Sequence, residues 1–288
     1  TGLVDEYGGI DDINNKVIRC VGRPEERFTE DALRMMRAIR FSAQLGFTIE
    51  DNTYKAIEKL SANIGKVSME RVCVELKKTL MSDNPDFCRL YGTTNLFKDI
   101  LPQLHDSFTK RQSKRILLTC KYSEKELPLR LTACLSNGTP AQAEDTLRHL
   151  RMDNKTIETV VKILTFSKDN IEETEPAIRE ALHKCGRDIF ELVIKYDFAL
   201  VKASEEVTFI SNPARYNHLV TLKRMADEIL SRGDCFTIKD LDITGLDLIE
   251  YGLKGTQIGS TLNYLLDIVI ENPKLNDKAT LIGLLDMK

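Results

Sequence analysis

Arg27-Phe28-Thr29-Glu30-Asp31-Ala32-Leu33-Arg34-Met35-Met36-Arg37-Ala38-Ile39-Arg40-Phe41 decides how this chain reads. Thr29 suits a helix N-cap, and Glu30 and Asp31 then put acid in the first turn, where the helix dipole favours it. Leu33, Met36 and Ile39, with Phe41 beyond, recur at helical spacing and predict a core-facing side. Asp31 and Arg34 stand three apart, so one helix would set them side by side. Arg37 and Arg40 continue the step. Each step of three falls about sixty degrees short of a turn, so the row winds round the helix. Arg37 then flanks the pair, and Arg40 points well away.

A carboxylate accepts hydrogen bonds, and a guanidinium donates them. Set together they complement the edges of cytosine and adenine, which carry a donor amino group beside ring acceptors. They mismatch guanine and uracil, whose edges have the reverse polarity, by the logic that governs groove reading of bases. The same spacing also fits a solvated ion pair on a helix face, worth a few tenths of a kcal/mol.

Working outward, the 288 residues include 8 Pro, 15 Gly and no Trp, which predicts long helices with few breaks. A net charge of −3 excludes a globally basic nucleic-acid binder, so any RNA contact has to be local. The seven cysteines form no C-x-x-C pair, and reduced thiols in a cytoplasmic protein fit them best. No apolar run approaches the length of a membrane span, and none reads as a signal peptide. Val17-Ile18-Arg19-Cys20-Val21 is a short β-type run. A helix follows from Asn52 to about Leu60. Ser68 caps another, with Val72, Leu76 and Leu80 on its buried stripe.

Gly8-Gly9-Ile10-Asp11-Asp12, Val17 to Pro24 and the opening stretch together resemble the class II, bacterial-type tRNA CCA-adding nucleotidyltransferases, relatives of bacterial poly(A) polymerases. The resemblance implies that Asp31 and Arg34 pair with incoming CTP or ATP and that Arg37 and Arg40 contact the nucleotide. Glu70, Arg71 and Glu75 match the family's Glu-Arg-x-x-x-Glu neck motif, which supports the base-reading helix together with Glu30. The motif residues also fit an exposed i,i+4 pair. The expected fold is all-α: the end of a nucleotidyltransferase head at 1–22, a neck at 23–83, a body at 84–170 and a tail at 171–288, in an elongated stack.

Two places suggest tRNA contact. Lys110, Arg111, Lys114 and Arg115 lie in the densest basic cluster, which suits phosphates or simply a solvated face. In the tail, Thr244-Gly245-Leu246-Asp247-Leu248-Ile249 and Ile258-Gly259-Ser260-Thr261-Leu262 resemble the family's last helices. Between them Lys254-Gly255 replaces the usual Lys-Pro-Gly. That turn could hold phosphate or be a plain helical hairpin.

The family's catalysis needs Gly-Ser followed by Asp-x-Asp on a strand, whose carboxylates hold Mg2+. No such strand is present, so neither a catalytic residue nor a metal ligand is expected, and the chain reads as a fragment that would be inactive alone. Asp240 and Asp242 form an Asp-x-Asp but match a tail segment. His105-Asp106 lacks the further ligands of a metallohydrolase, and no Cys/His metal spacing is visible. The expected parent adds C, A or both to tRNA, using ATP and CTP. A poly(A) polymerase and a non-catalytic RNA-binding module are the alternatives. Nothing in the sequence sets an oligomeric state.

Overall fold

The computed structural model describes residues 4–110, 112–167 and 169–286. It is all-α, as expected. Its one small sheet pairs β1 (Val17–Ile18) in parallel with β2 (Thr48–Ile49), Val17 opposite Thr48 and Ile18 opposite Ile49. Chain contacts divide it into two units. The first holds residues 1–168 and 195–212, the second 169–194 and 213–288.

The first unit begins with α1 (Gly9–Asn14), α2 (Pro24–Glu30), α3 (Leu33–Leu45), α4 (Asp51–Leu60) and α5 (Met69–Leu80). Pro24 opens α2, where its missing N–H costs nothing. Gly46 ends α3 in the left-handed conformation. Glu50 caps α4 by accepting from the Thr53 N–H at 2.7 Å. Helix α2 packs on α4, and α3 on α5. Phe28 on α2 and Leu33, Met35, Met36 and Ile39 on α3 are buried, as are Val72, Leu76 and Leu80 on α5, against which α3 packs. The stripe read from spacing is thus buried, apart from Phe41, which stays partly exposed.

The unit continues through α6 (Arg89–Thr93), α7 (Pro102–Thr109), α8 (Ser113–Tyr122), α9 (Leu127–Leu135), α10 (Pro140–His149) and α11 (Asn154–Phe166). The 3-10 turn Pro85–Cys88 and α9 both pack against α8. Tyr91 stacks on Phe97 with ring centroids 4.6 Å apart and bonds Thr79 through its hydroxyl.

The second unit is built from α12 (Glu175–Cys185), part of α13 (Arg187–Thr208), α14 (Pro213–Arg232), α15 (Gly245–Glu250), α16 (Thr256–Glu271) and α17 (Lys278–Asp286). Leu241, Ile243, Leu248, Leu265, Leu266, Val269 and Leu281 form its core. Arg179, 2% exposed, ties it together. Its Nε donates to the Ile270 carbonyl at 2.7 Å, and its Nη1 donates to Glu175 and Asp234, each at 3.0 Å. Arg232 also holds Asp234, at 2.9 Å.

The Arg232 guanidinium, with Arg179 beside it, holds the Asp234 carboxyl below the usual carboxylate range despite its burial. A depressed native value gives stability that is present above the unfolded value, near pH 4, and is lost as pH falls through the native one. Asp234→Asn should therefore lower stability at pH 7 and flatten the acid limb of a denaturant-midpoint profile. An acid limb as steep as the native protein's would contradict this.

Candidate functional site

The opening stretch is two helices, not one. Helix α2 runs through Thr29 to Glu30, Asp31 turns extended at φ −145°, and α3 starts at Leu33. Thr29 is therefore not an N-cap; its hydroxyl donates to the Glu25 carbonyl within α2. Asp31 takes the capping role instead. Its Oδ1 accepts from the Leu33 N–H at 3.1 Å, which puts a negative charge at the start of α3.

The other carboxylate oxygen accepts from Arg71 Nη2 at 3.1 Å. The solvated ion pair with Arg34 that the spacing also fits does not form among the described residues; Asp31 pairs with Arg71. The Asp31 side chain keeps 32% exposure, and a carboxylate has about four acceptor sites. It can still receive a donor from outside. Arg34 and Arg37 project from the exposed side of α3 and form no salt bridge among the described residues.

Both arginines line a cleft of about 250 Å³ formed by Ile18 to Val21, by Arg27 and Phe28 of α2, and by Arg34, Arg37, Ala38 and Phe41 of α3. That volume is just below the ~300–1,000 Å³ of drug-sized sites and suits one flat ring better than a whole nucleotide. The other cleft guanidiniums are engaged: Arg19 with Asp12 at 3.1 Å, Arg27 with Glu30 at 3.0 Å. The Arg37 guanidinium lies 5.9 Å from the Phe41 ring centroid. Two free donors beside an aromatic ring suit a planar, acceptor-rich ligand.

Arg40 does not line this cleft. It is 8% exposed and its Nε lies 3.1 Å from Oε2 of Glu75, itself 6% exposed. The two meet as charges rather than along the N–H axis, and the guanidinium sits over Phe41 at 4.1 Å. Arg40, expected to contact the nucleotide, instead stands in a buried ion pair between α3 and α5. The supporting motif is split likewise. Glu75 is buried under α3, Arg71 holds Asp31 at the surface, and Glu70 is exposed, 3.8 Å from Arg151. Glu30 is exposed and bonded to Arg27.

The expected tRNA contacts are scattered in character. Lys110 is bound to Asp106 at 2.6 Å, at the edge of a second depression of about 700 Å³ that also carries Asp145. Lys114 and Arg115 are exposed on α8, and Arg111 lies outside the described residues. Lys254 and Gly255 are exposed before α16. Gly255 has φ +58° and ψ −128°, which a side chain would strain. The Lys254 N–H already donates to the Gln257 side chain.

Mg2+, which the resemblance implies, does not fit the acids of the Asp240-Leu241-Asp242 segment. One oxygen of Asp240 is spent on the Thr237 N–H and hydroxyl and on the Phe236 N–H, and Asp242 is exposed nearby. Among the described residues, three ligand-type side chains do converge elsewhere: the thiols of Cys88, Cys120 and Cys134. No local spacing relates those three, so the sequence carried no signal for them.

Fold and cleft together make a helical module with Arg34 and Arg37 on the wall of the cleft. A family model described as "Probable RNA and SrmB- binding site of polymerase A" matches residues 46–108. A second, for tRNA nucleotidyltransferase domain 2, matches residues 120–285, more than half of the chain. The chain belongs to the tRNA nucleotidyltransferase family. The CCA-adding enzyme of Pediococcus pentosaceus is 30% identical over 294 residues, spanning 98% of this chain and 66% of its own length. The Bacillus stearothermophilus CCA-adding enzyme in complex with CTP has a TM-score of 0.71 at 23% identity, over 99% of this chain and 69% of that one. A CCA-adding enzyme in complex with ATP has a TM-score of 0.56 at 17% identity, over 98% and 65%. These structures share the fold. The chain spans 55% to 66% of the length of the first curated relatives it matches. Among the described residues no helix is long and apolar enough to cross a membrane.

Proposed function

We propose that this chain selects the incoming nucleotide, and holds the tRNA, in a cytoplasmic protein that adds C and A to tRNA 3′ ends. The observation that carries the reading is the unpaired Arg34 on the cleft wall, three residues after a carboxylate pinned at the start of α3. Arg34 donates to the ring acceptors of cytosine or adenine. Asp31 accepts from the amino group, and Arg71 fixes the rotamer in which it does so. Arg37 stands beside them, placed to contact the nucleotide. Guanine and uracil would set donor against donor and acceptor against acceptor, leaving desolvated groups unpaired, at about 1–3 kcal/mol each.

Residues 23–83 form the base-reading neck in this proposal, 84–170 the body and 171–288 the tRNA-holding tail, after the end of a head at 1–22. The exposed Lys114 and Arg115, and the Lys254-Gly255 turn, are the tRNA contacts that the surface leaves open. Phosphate contacts of this kind position an RNA without reading its sequence. The carboxylates that hold Mg2+ belong to a head outside this chain.

The experiment is nucleotide incorporation by the longest natural form of the protein onto tRNA lacking its last one, two or three residues. C, then C, then A should be added in turn, and UTP and GTP refused. The polymerase A description of the family model over residues 46–108 favours one second reading, a poly(A) polymerase. Incorporation of A alone, in long runs, would select it. Absence of incorporation with tRNA binding retained would select a binding module instead.

A further inference from the structure

Cys88 ends the 3-10 turn Pro85–Cys88, Cys120 lies in α8 and Cys134 in α9. All three are fully buried, and their sulfurs lie within 4.8 Å of one another, Cys120 and Cys134 at 3.9 Å. Three thiolates around one ion with metal–sulfur bonds of about 2.3 Å stand roughly 3.8–4.0 Å apart. The Cys120–Cys134 pair already has that spacing, and Cys88, within 4.8 Å of both, completes the triangle with a shift of at most about an ångström.

A second feature separates this cluster from three small apolar side chains in a core. Arg130, one turn before Cys134 on α9, is buried, and no carboxylate bonds it among the described residues. Its Nη1 donates to the carbonyls of Leu80 and Ser82, and its Nε has no partner. A buried guanidinium without a counter-charge is costly. Its charge acts on Cys120 and Cys134, and that of Asp86 acts on Cys120. The exposed Asp83, bound to Lys125 at 2.8 Å, also lies within its field.

We propose that Cys88, Cys120 and Cys134 form a binding site for a single soft d10 metal ion, Cu(I) in preference to Zn(II). Thiolates select soft ions. Structural Zn(II) sites almost always take four ligands, and no fourth His, Cys, Asp or Glu joins these three among the described residues. Binding exchanges three thiol protons, which pass to solvent, for three metal–sulfur bonds. No electron is transferred. Three thiolates and Cu(I) carry two negative charges, and Arg130 offsets one of them.

The test is an anaerobic titration of the reduced protein with Cu(I) in competition with bathocuproine disulfonate, with parallel arms using Zn(II) and Co(II). One Cu(I) should bind per chain, X-ray absorption should find three sulfurs at about 2.3 Å, and the melting temperature should rise on loading. Cys120→Ser and Cys134→Ser should lose that equivalent, while Cys73→Ser, elsewhere in the same unit, keeps it. If the serine variants misfold by circular dichroism, the absorption spectrum and melting shift of the native protein decide. Failure to compete for Cu(I), or binding unchanged in folded serine variants, overturns the site. Cysteine-dependent binding of Zn(II) but not Cu(I) overturns the three-coordinate assignment.

Discussion

Glu75→Ala is expected to destabilise the first unit by about 3–5 kcal/mol, because it strands the buried charge of Arg40. Glu75 is 6% exposed and 3.1 Å from the Arg40 guanidinium, and no other acid is paired with that arginine among the described residues. The loss should appear as a lowered urea midpoint with little change in slope. The reason is uncompensated charge rather than lost packing, and a double variant separates the two. Arg40→Met with Glu75→Leu removes both charges while filling similar volume. Such replacements are often close to neutral, so the double variant should be far more stable than Glu75→Ala. If both are equally unstable, packing explains the site and the ion pair does not.

The second large effect concerns the cleft. Arg34→Ala should leave the fold intact, since Arg34 is exposed and forms no ion pair among the described residues. Its loss should instead fall on base choice. A good two-bond contact to a base edge discriminates by about 1–3 kcal/mol, a factor of roughly 5 to 150. Asp31 needs a subtler change, because its carboxylate both caps α3 and holds Arg71. Asp31→Ala would cost about 1 kcal/mol of capping as well as the base contact. Asp31→Asn retains a carbonyl for the Leu33 N–H but turns part of the edge into a donor. The comparison of the two isolates the polarity of the edge from the stability of the helix start.

The apolar skeleton of this region was legible in the sequence. Leu33, Met36 and Ile39 are buried as their spacing required, and the helix expected from Asn52 to about Leu60 runs from Asp51 to Leu60. The break at Asp31 was not read, because a one-residue kink hardly disturbs an apolar stripe that runs on from Phe28. Its signal was present all the same: Asp competes with the backbone for N–H groups and favours helix starts over interiors. The winding of the arginine row did place Arg40 away from Arg34, but spacing names no partner, and Glu75 lies 35 positions further along the chain. Arg71 as the partner of Asp31 was hidden for the same reason. So was the meeting of Cys88, Cys120 and Cys134, which depends on how α8 packs with α9 and the Pro85–Cys88 turn.

Whether Arg34, with Asp31, recognises the base is tested most directly by selectivity. Rates of CTP, ATP, UTP and GTP incorporation would be measured for Arg34→Ala and Asp31→Asn in the longest natural form of the protein, alongside tRNA affinity. Discrimination against UTP and GTP should fall by about 5- to 150-fold while tRNA affinity is unchanged. Unaltered discrimination, or a loss of tRNA affinity as large as the loss of discrimination, would contradict base recognition by this pair.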